Sequence, residues 1–242
     1  MATDISALPI QCQHCGVRSR ALCSVLSDDE LTALSATSRN RHFGEGQTIV
    51  TEGDPAIIGN IASGICIEKK AMADGREQIV SLLFPADFVS GDLEGTSDTT
   101  IQAVSEVRLC LHDRAGFTKL LDEQPGLNKA YLAHARQELS NAREWMLLLG
   151  QKTAEERVAT FLLRLATRYT AAGCRYYPLD EATDDMVFDI PITRAQIAAY
   201  IGLTIETVSR KLRALCDQGA IDLVGTRSVR LKNVARLRAI AD

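Results

Sequence analysis

The stretch that most constrains the fold is TRAQIAAYIGLTIETVSRKLRALCDQGAIDLVGTRSVRLKN, residues 193–233. Thr193 to Ile201 reads as a short amphipathic helix with Ile197, Ala198 and Ile201 on one side. Gly202 supplies a tight or left-handed turn at no steric cost. Thr204 then caps a second helix, whose expected buried stripe is Ile205, Val208, Leu212 and Leu215. Helix, glycine turn and second capped helix together make a helix-turn-helix pattern. AIDLVGTRSVRL, which follows, reads as two strands around a Gly-Thr turn, the wing of a winged helix.

The face near the start of the second helix carries Glu206, Ser209 and Arg210, with Lys211 and Arg213 beside them. In this geometry the second helix enters the DNA major groove, its N-terminal residues facing base edges. Arg210 can pair with guanine O6 and N7, Glu206 can accept from cytosine N4, and Ser209 can bond either. Lys211, Arg213, Arg227 and Arg230 are expected on phosphates. Charge agrees: residues 191–242 hold nine Lys/Arg against four acids, although the whole chain has a net charge of −4. A basic end module on an acidic body is the electrostatic footprint of a nucleic-acid-binding domain with a regulatory partner. A merely solvated charged face would leave the agreement of glycine, cap, stripe and charge unexplained.

Upstream, residues 40–115 mix β-branched residues with Gly, Asp and Pro turns at short intervals, which suggests an antiparallel barrel or sandwich with a hairpin at ADGREQ. From Phe117 the chain turns to helix formers, with Pro125 at a helix start. Leu132, Ala135, Leu139, Ala142, Met146 and Leu149 are spaced 3, 4, 3, 4, 3, a heptad seam. Such a seam favours a parallel two-helix coiled coil and hence a homodimer; the alternative is one amphipathic helix packed on its own domain. TAEERVATFLLRLATRY begins a further helix, with Thr153 and Glu156 spaced as a capping box, and ends near Gly173. CRYYPLDEATDDMVFDI is expected to be extended and loop-like. The fold class is therefore α+β. A cysteine-rich segment (1–30) precedes an antiparallel β-roll (31–116), a long dimerisation helix (117–151) and a winged helix-turn-helix domain (152–242).

With 46% hydrophobic and 24% charged residues, the composition is that of a soluble globular protein. No apolar run is long enough to cross a bilayer, and the start MATDISALPI lacks an export signal. A cytoplasmic protein is expected, and its seven cysteines point to metal binding or redox response rather than disulfides. Neither a nucleotide-phosphate loop, a Ser/His/Asp arrangement nor an HExxH motif is found, so no enzyme is expected.

Strands, a dimer helix and a winged helix-turn-helix in that order resemble the CRP/FNR superfamily of bacterial transcription regulators. LTIETVSR, residues 203–210, is similar to the recognition helix of its FNR branch, as are AEERVATFLL and the SGI turn around Ser63 and Gly64. The resemblance covers nearly the whole chain. It implies that Glu206, Ser209 and Arg210 read a TTGAT-type half-site and that a dimer reads the palindrome. It also implies RNA polymerase as a partner, contacted through surface loops such as FPADFVSGDLEG.

The superfamily includes cyclic-nucleotide receptors, which need a basic group for the cyclic phosphate. No Lys or Arg occurs between Arg76 and Arg108, and DFVSGDLEGTSDTT is acidic instead. An anion would be poorly held there, so no cyclic nucleotide is expected.

CQHCGVRSRALC, residues 12–23, sets Cys12, Cys15 and Cys23 close together, one thiol short of a closed site. Oxygen sensors of the FNR branch hold a [4Fe–4S] cluster, one per chain, on three such cysteines and a fourth from the barrel. The family's fourth position matches Cys110. In VRLCLH the residues Val107, Leu109 and Leu111 form one apolar strand face, which turns Cys110 the other way with Arg108 and His112. Cys66 reads as a small strand residue, and Cys174 and Cys216 as ordinary thiols. The second gap, of seven residues, is longer than in the best-known members and resembles the FnrL/FnrN/AadR-like subgroup. Two alternatives stay open: zinc on the three thiols with His14, and metal-free redox thiols in a FixK-like regulator. In the first, adjacent ligands His14 and Cys15 would strain a tetrahedral site. The resemblance further implies that ligation joins residues 12–23 to Cys110 and favours association of a seam kept marginal by Ala135 and Ala142. Glu138 and Glu144 are expected to repel their counterparts across it, and Leu22 to shield the cluster.

Overall fold

The computed structural model describes residues 8–90, 95–170 and 182–242. They form two units, Met1–Lys70 with Val80–Leu139, and Ala71–Ile79 with Ser140–Asp242.

Two four-stranded sheets make the expected β-roll; they belong to the first unit except at Ala71 of β4 and Glu77–Ile79 of β5, which group with the second. One has the order β1 (Ser38–Phe43), β8 (Val107–His112), β3 (Ile58–Ser63), β6 (Phe88–Ser90). The other has the order β2 (Thr48–Val50), β7 (Thr100–Ala103), β4 (Cys66–Ala71), β5 (Glu77–Leu83). Strand β8 alternates as the sequence requires: Val107, Leu109 and Leu111 are buried while Arg108, Cys110 and His112 are only half-buried. The interior face joins Phe43, Ile61, Val89 and Ile101 in one apolar cluster. Cys66 is a small residue on strand β4, as expected, and is fully buried in that cluster. Across β3, Gly59 lies opposite β8, where an added Cβ would collide with the Cys110 carbonyl. Only a residue without a side chain lets the two backbones lie this close.

A second apolar cluster lies on helices α2 (Asp28–Ala36), α3 (Arg114–Glu123) and the start of α4 (Pro125–Gln151). Helix α2 opens with a capping box between Ser27 and Glu30, so the expected boundary at residue 30 falls inside a helix. The expected segment 117–151 is two helices rather than one. Gln124, held extended at φ −119° and ψ 93°, separates them because the residue before proline is pushed out of helical geometry. Pro125 then begins α4 as expected.

Along α4, Leu132, Leu139 and Met146 are 61%, 50% and 72% exposed. Ala135 and Ala142 are exposed as well. Leu149 departs from this row: it is half-buried, with its Cδ2 3.2 Å from the point a Cβ on Gly202 would occupy. Trp145 and Leu148 are buried.

The second unit holds α5 (Ala154–Thr170), α6 (Arg194–Ile201), α7 (Ile205–Asp217) and α8 (Val234–Ala241). A three-stranded sheet has the order β10 (Ile221–Val224), β11 (Ser228–Leu231), β9 (Val187–Asp189). Thr153 and Glu156 exchange the two bonds of the expected capping box. Gly202 adopts the left-handed conformation at φ 65°, and Thr204 caps α7. Val208, Leu212 and Leu215 are buried, but Ile205 is 46% exposed. As the first residue of α7 it lies past the end of the packed stripe. The residues expected to be loop-like up to Glu181, Cys174 among them, lie outside the described residues. Val187–Asp189 is a strand paired with β11 rather than loop.

Candidate functional site

Two sites stand out, one in each unit. In the first, Cys12, Cys15, Cys23 and Cys110 line a single cavity. Helix α1 (Ile10–Gln13) carries Cys12, and a 3-10 turn at Leu22–Val25 carries Cys23. Strand β8 presents Cys110 from the side opposite its core face. Val17, Ala21, Leu31, Leu34 and Ala62 supply an apolar wall. Leu22, expected to shield this place, instead packs away from it with Ile58, Phe117 and Leu127.

The thiols are close enough to perturb one another. Burial pushes Cys23 up to about 12, and Cys15, Cys110 and Cys12 add to the shift. Burial likewise pushes Cys110 up to about 11, with Cys12 and Cys15 adding, while Ser38 and Arg108 oppose it. Cys12 is raised by burial, then held back by a hydrogen bond with Ser35 and by Arg18.

Sequence reasoning missed the polar network that fixes this geometry. Asn60, on β3 and 3% exposed, accepts from the Leu22 N–H at 3.4 Å and donates to His112 Nε2 at 3.3 Å. Burial pushes His112 down to about 4, so the imidazole is neutral. Since Nε2 accepts from Asn60, Nδ1–H donates to Ser38 Oγ at 2.7 Å, and Ser38 donates to the Leu34 carbonyl at 2.7 Å. One buried asparagine thus ties the cysteine segment to the strand bearing Cys110. The available signal was an asparagine amid apolar residues in IIGNIAS, because buried polar groups must find partners.

The donor set suits a multi-iron thiolate centre, which takes four cysteines. Among the described residues no group of three or more His, Cys, Asp or Glu is arranged to hold a metal ion. His14, a ligand in the zinc alternative, is not among the residues that line this cavity. Arg18 and Arg108 also line the cavity, and Arg108 Nε is buried with no hydrogen-bond partner among the described residues. A buried cationic donor left unpaired is costly and suits an anionic occupant.

In the second unit, Glu206, Ser209, Arg210 and Arg213 are exposed on one face of α7, at spacings of three and four. The Glu206 carboxyl is held below its usual range by its own backbone N–H and by Thr204. Arg227 and Arg230 are exposed on the wing hairpin. Lys211, expected on phosphate, is instead engaged: its Nζ lies 2.7 Å from Glu155 Oε2. Glu144, expected to repel across the seam, is likewise paired within its own unit with Arg164 at 2.6 Å. In the loop expected to meet RNA polymerase, Phe84, Ala86, Phe88 and Val89 are buried. Residues 91–94 of that loop lie outside the described residues. Among the described residues no helix is long and apolar enough to cross a membrane.

Comparison with known proteins agrees with this architecture. Residues 156–240 match the Crp-like helix-turn-helix domain, and residues 40–124 the cyclic nucleotide-binding domain. The chain is 37% identical over 235 residues to the transcriptional activator protein FnrL of Cereibacter sphaeroides, covering 97% of this chain and 93% of that one. It is 36% identical over 231 residues to the nitrogen fixation regulation protein FixK of Bradyrhizobium diazoefficiens, covering 95% and 93%. The solved structure of FixK2 from Bradyrhizobium japonicum superposes with a TM-score of 0.75 at 30% identity, covering 85% and 98%. By fold, domain matches and full-length likeness, the chain belongs to the CRP/FNR family of transcription regulators.

Proposed function

We propose that this regulator is an oxygen-responsive activator that binds TTGAT-type palindromic DNA as a homodimer when Cys12, Cys15, Cys23 and Cys110 hold a [4Fe–4S] cluster. The observation that carries the reading is the convergence of these four thiols on one cavity from two distant chain segments. When bound, the cluster supplies thiolate–iron links that oxygen can break. The chain's own residues do the rest. Leu22, next to Cys23, shares an apolar cluster with Phe117 of α3 and Leu127 of α4. Holding Cys23 against Cys110 therefore also holds the segment on the first turns of α4. Leu132, Leu139 and Met146 farther along α4 offer exposed apolar surface to a second copy. A bias of about 3 kcal/mol on that association changes occupancy by about a hundredfold.

No cyclic nucleotide is part of this reading. Arg114, the first arginine after β8, already donates to the carbonyls of Ala56 and Gly95. RNA polymerase remains the expected partner at activated promoters, through a surface other than the buried part of residues 84–89.

The FixK-like alternative, a regulator without a cluster, is favoured by one observation, the nearly equal likeness to FnrL and FixK. One experiment separates the two: visible absorption of protein prepared without oxygen, with iron and sulfide analysis. About four irons per chain and a band that bleaches in air support the cluster. Zinc, or no metal after reconstitution, supports the alternative.

A further inference from the structure

Helix α6 ends with carbonyls that cannot be satisfied inside the helix, and three side chains from outside the motif reach them. Trp145 Nε1 and Gln78 Nε2 both donate to the Tyr200 carbonyl, at 3.3 and 3.1 Å. Arg157 Nη1 donates to the carbonyls of Ile201 and Gly202, each at 3.3 Å. The same guanidinium donates through Nη2 to the Leu149 carbonyl at 2.6 Å and through Nε to the Lys152 carbonyl at 2.9 Å. One side chain thus joins the end of α4 to the turn of the helix-turn-helix. Two residues earlier, Glu155 grips α7, accepting from Lys211 at 2.7 Å and from Gln218 at 2.6 Å. The Trp145 ring stacks on Tyr200 with centroids 4.2 Å apart, and the Arg164 guanidinium lies 5.2 Å from the Trp145 ring.

We propose that Arg157, Trp145 and Gln78 are positioning residues for DNA recognition: by capping α6 they fix the angle at which α7 is carried by the end of α4. They act through carbonyls of α6 and the turn, so they govern the preference for a specific site rather than the grip on phosphates. Lysine cannot replace Arg157, because a single ammonium cannot reproduce the planar fork that serves four carbonyls. The inference rests on the proposed reading that the winged helix binds TTGAT-type DNA.

The test uses the full chain, reconstituted with iron and sulfide without oxygen, as wild type, Arg157→Lys, Trp145→Phe and Gln78→Ala. Each is titrated by fluorescence anisotropy with a labelled TTGAT palindrome and with a scrambled duplex across a salt series. Arg157→Lys is expected to lose about tenfold in affinity for the palindrome, the equivalent of one or two hydrogen bonds. Binding to the scrambled duplex, and the slope of log K against log salt, stay as in wild type, because no phosphate contact is removed. Gln78→Ala and Trp145→Phe lose specificity in the same sense by smaller factors, and carry the test should Arg157→Lys not fold. Trp145 is the only tryptophan, so its emission also reports displacement of Tyr200 in Arg157→Lys and Gln78→Ala. A salt slope shallower by about one in Arg157→Lys would mean a direct phosphate contact and overturn the proposal. Wild-type specificity in all three variants would overturn it too. Loss of preference in the wild type itself would overturn the DNA reading, and this inference with it.

Discussion

Replacing Glu68 by Gln isolates the cost of one carboxylate inside the β-roll. Glu68 lies on β4, and its carboxyl is pushed up from 4.5 to about 7. Burial is the main cause, followed by the charges of Glu138, Asp98 and Asp87, with a hydrogen bond involving Thr99 working against them. The folded chain therefore holds this proton more tightly than the unfolded chain does. Its stabilising contribution is complete below about pH 4.5 and is lost as pH rises through about 7. The gap between the two values corresponds to about 3 kcal/mol lost at pH 8, and about 1 kcal/mol at pH 5. Glutamine keeps the shape and never ionises. Glu68→Gln should thus gain about 3 kcal/mol at pH 8 but only about 1 kcal/mol at pH 5. Urea unfolding of the reduced, metal-free protein, followed by circular dichroism at both pH values, reads this directly. An equal gain at the two pH values, or a loss at pH 8, would refute the reasoning, since either requires that the carboxylate be compensated.

Asn60→Leu removes the partner of the Leu22 N–H and of His112 Nε2, and should cost about 2 kcal/mol. It should also speed alkylation of Cys23 in metal-free protein while leaving Cys66 protected; unchanged Cys23 reactivity would count against the network. Glu138→Ala should raise the dimer content of metal-free protein in sedimentation, whereas Glu144→Ala, which breaks a pair with Arg164, should not. Leu139→Lys places a charge in the seam and should leave the reconstituted chain largely monomeric, a shift that sedimentation would show. Cys110→Ala should abolish iron binding and Cys66→Ala should not, as measured by iron content after reconstitution.

Much of this molecule is legible in its residues where a local rule and a tertiary requirement coincide. Gly202, Thr204 and the Val208–Leu212–Leu215 stripe announce the helix-turn-helix, because turn, cap and burial each leave their own mark. The alternation in VRLCLH turns Cys110 off the core face without any knowledge of what lies opposite. Long-range polar pairing leaves no periodic mark. Nothing within α7 reveals that Lys211 is taken by Glu155, or within α4 that Glu144 is taken by Arg164, since each partner arrives from a separate helix. Leu149 illustrates the same limit. Its heptad spacing matches the seam, yet a glycine far along the chain opens a place for it. Leu22 lies beside Cys23 in sequence, and its side chain is claimed by the core on the other side.

Glu155, Glu156 and Arg157 are consecutive, and each has a different destination: α7, the start of α5, and the turn after α6. Only Lys152 and Thr153 separate α4 from α5. Each residue of an α-helix advances the side chain by about 100° around the axis. A single residue inserted between Thr153 and Glu155 would therefore turn α5, which packs on α7 and α8, against the end of α4, and part Arg157 from the Leu149 and Lys152 carbonyls. Most connections between helices tolerate changes of length. Here the length itself is part of the fit, so homologous exchange of this junction between regulators should succeed only when the number of residues is kept.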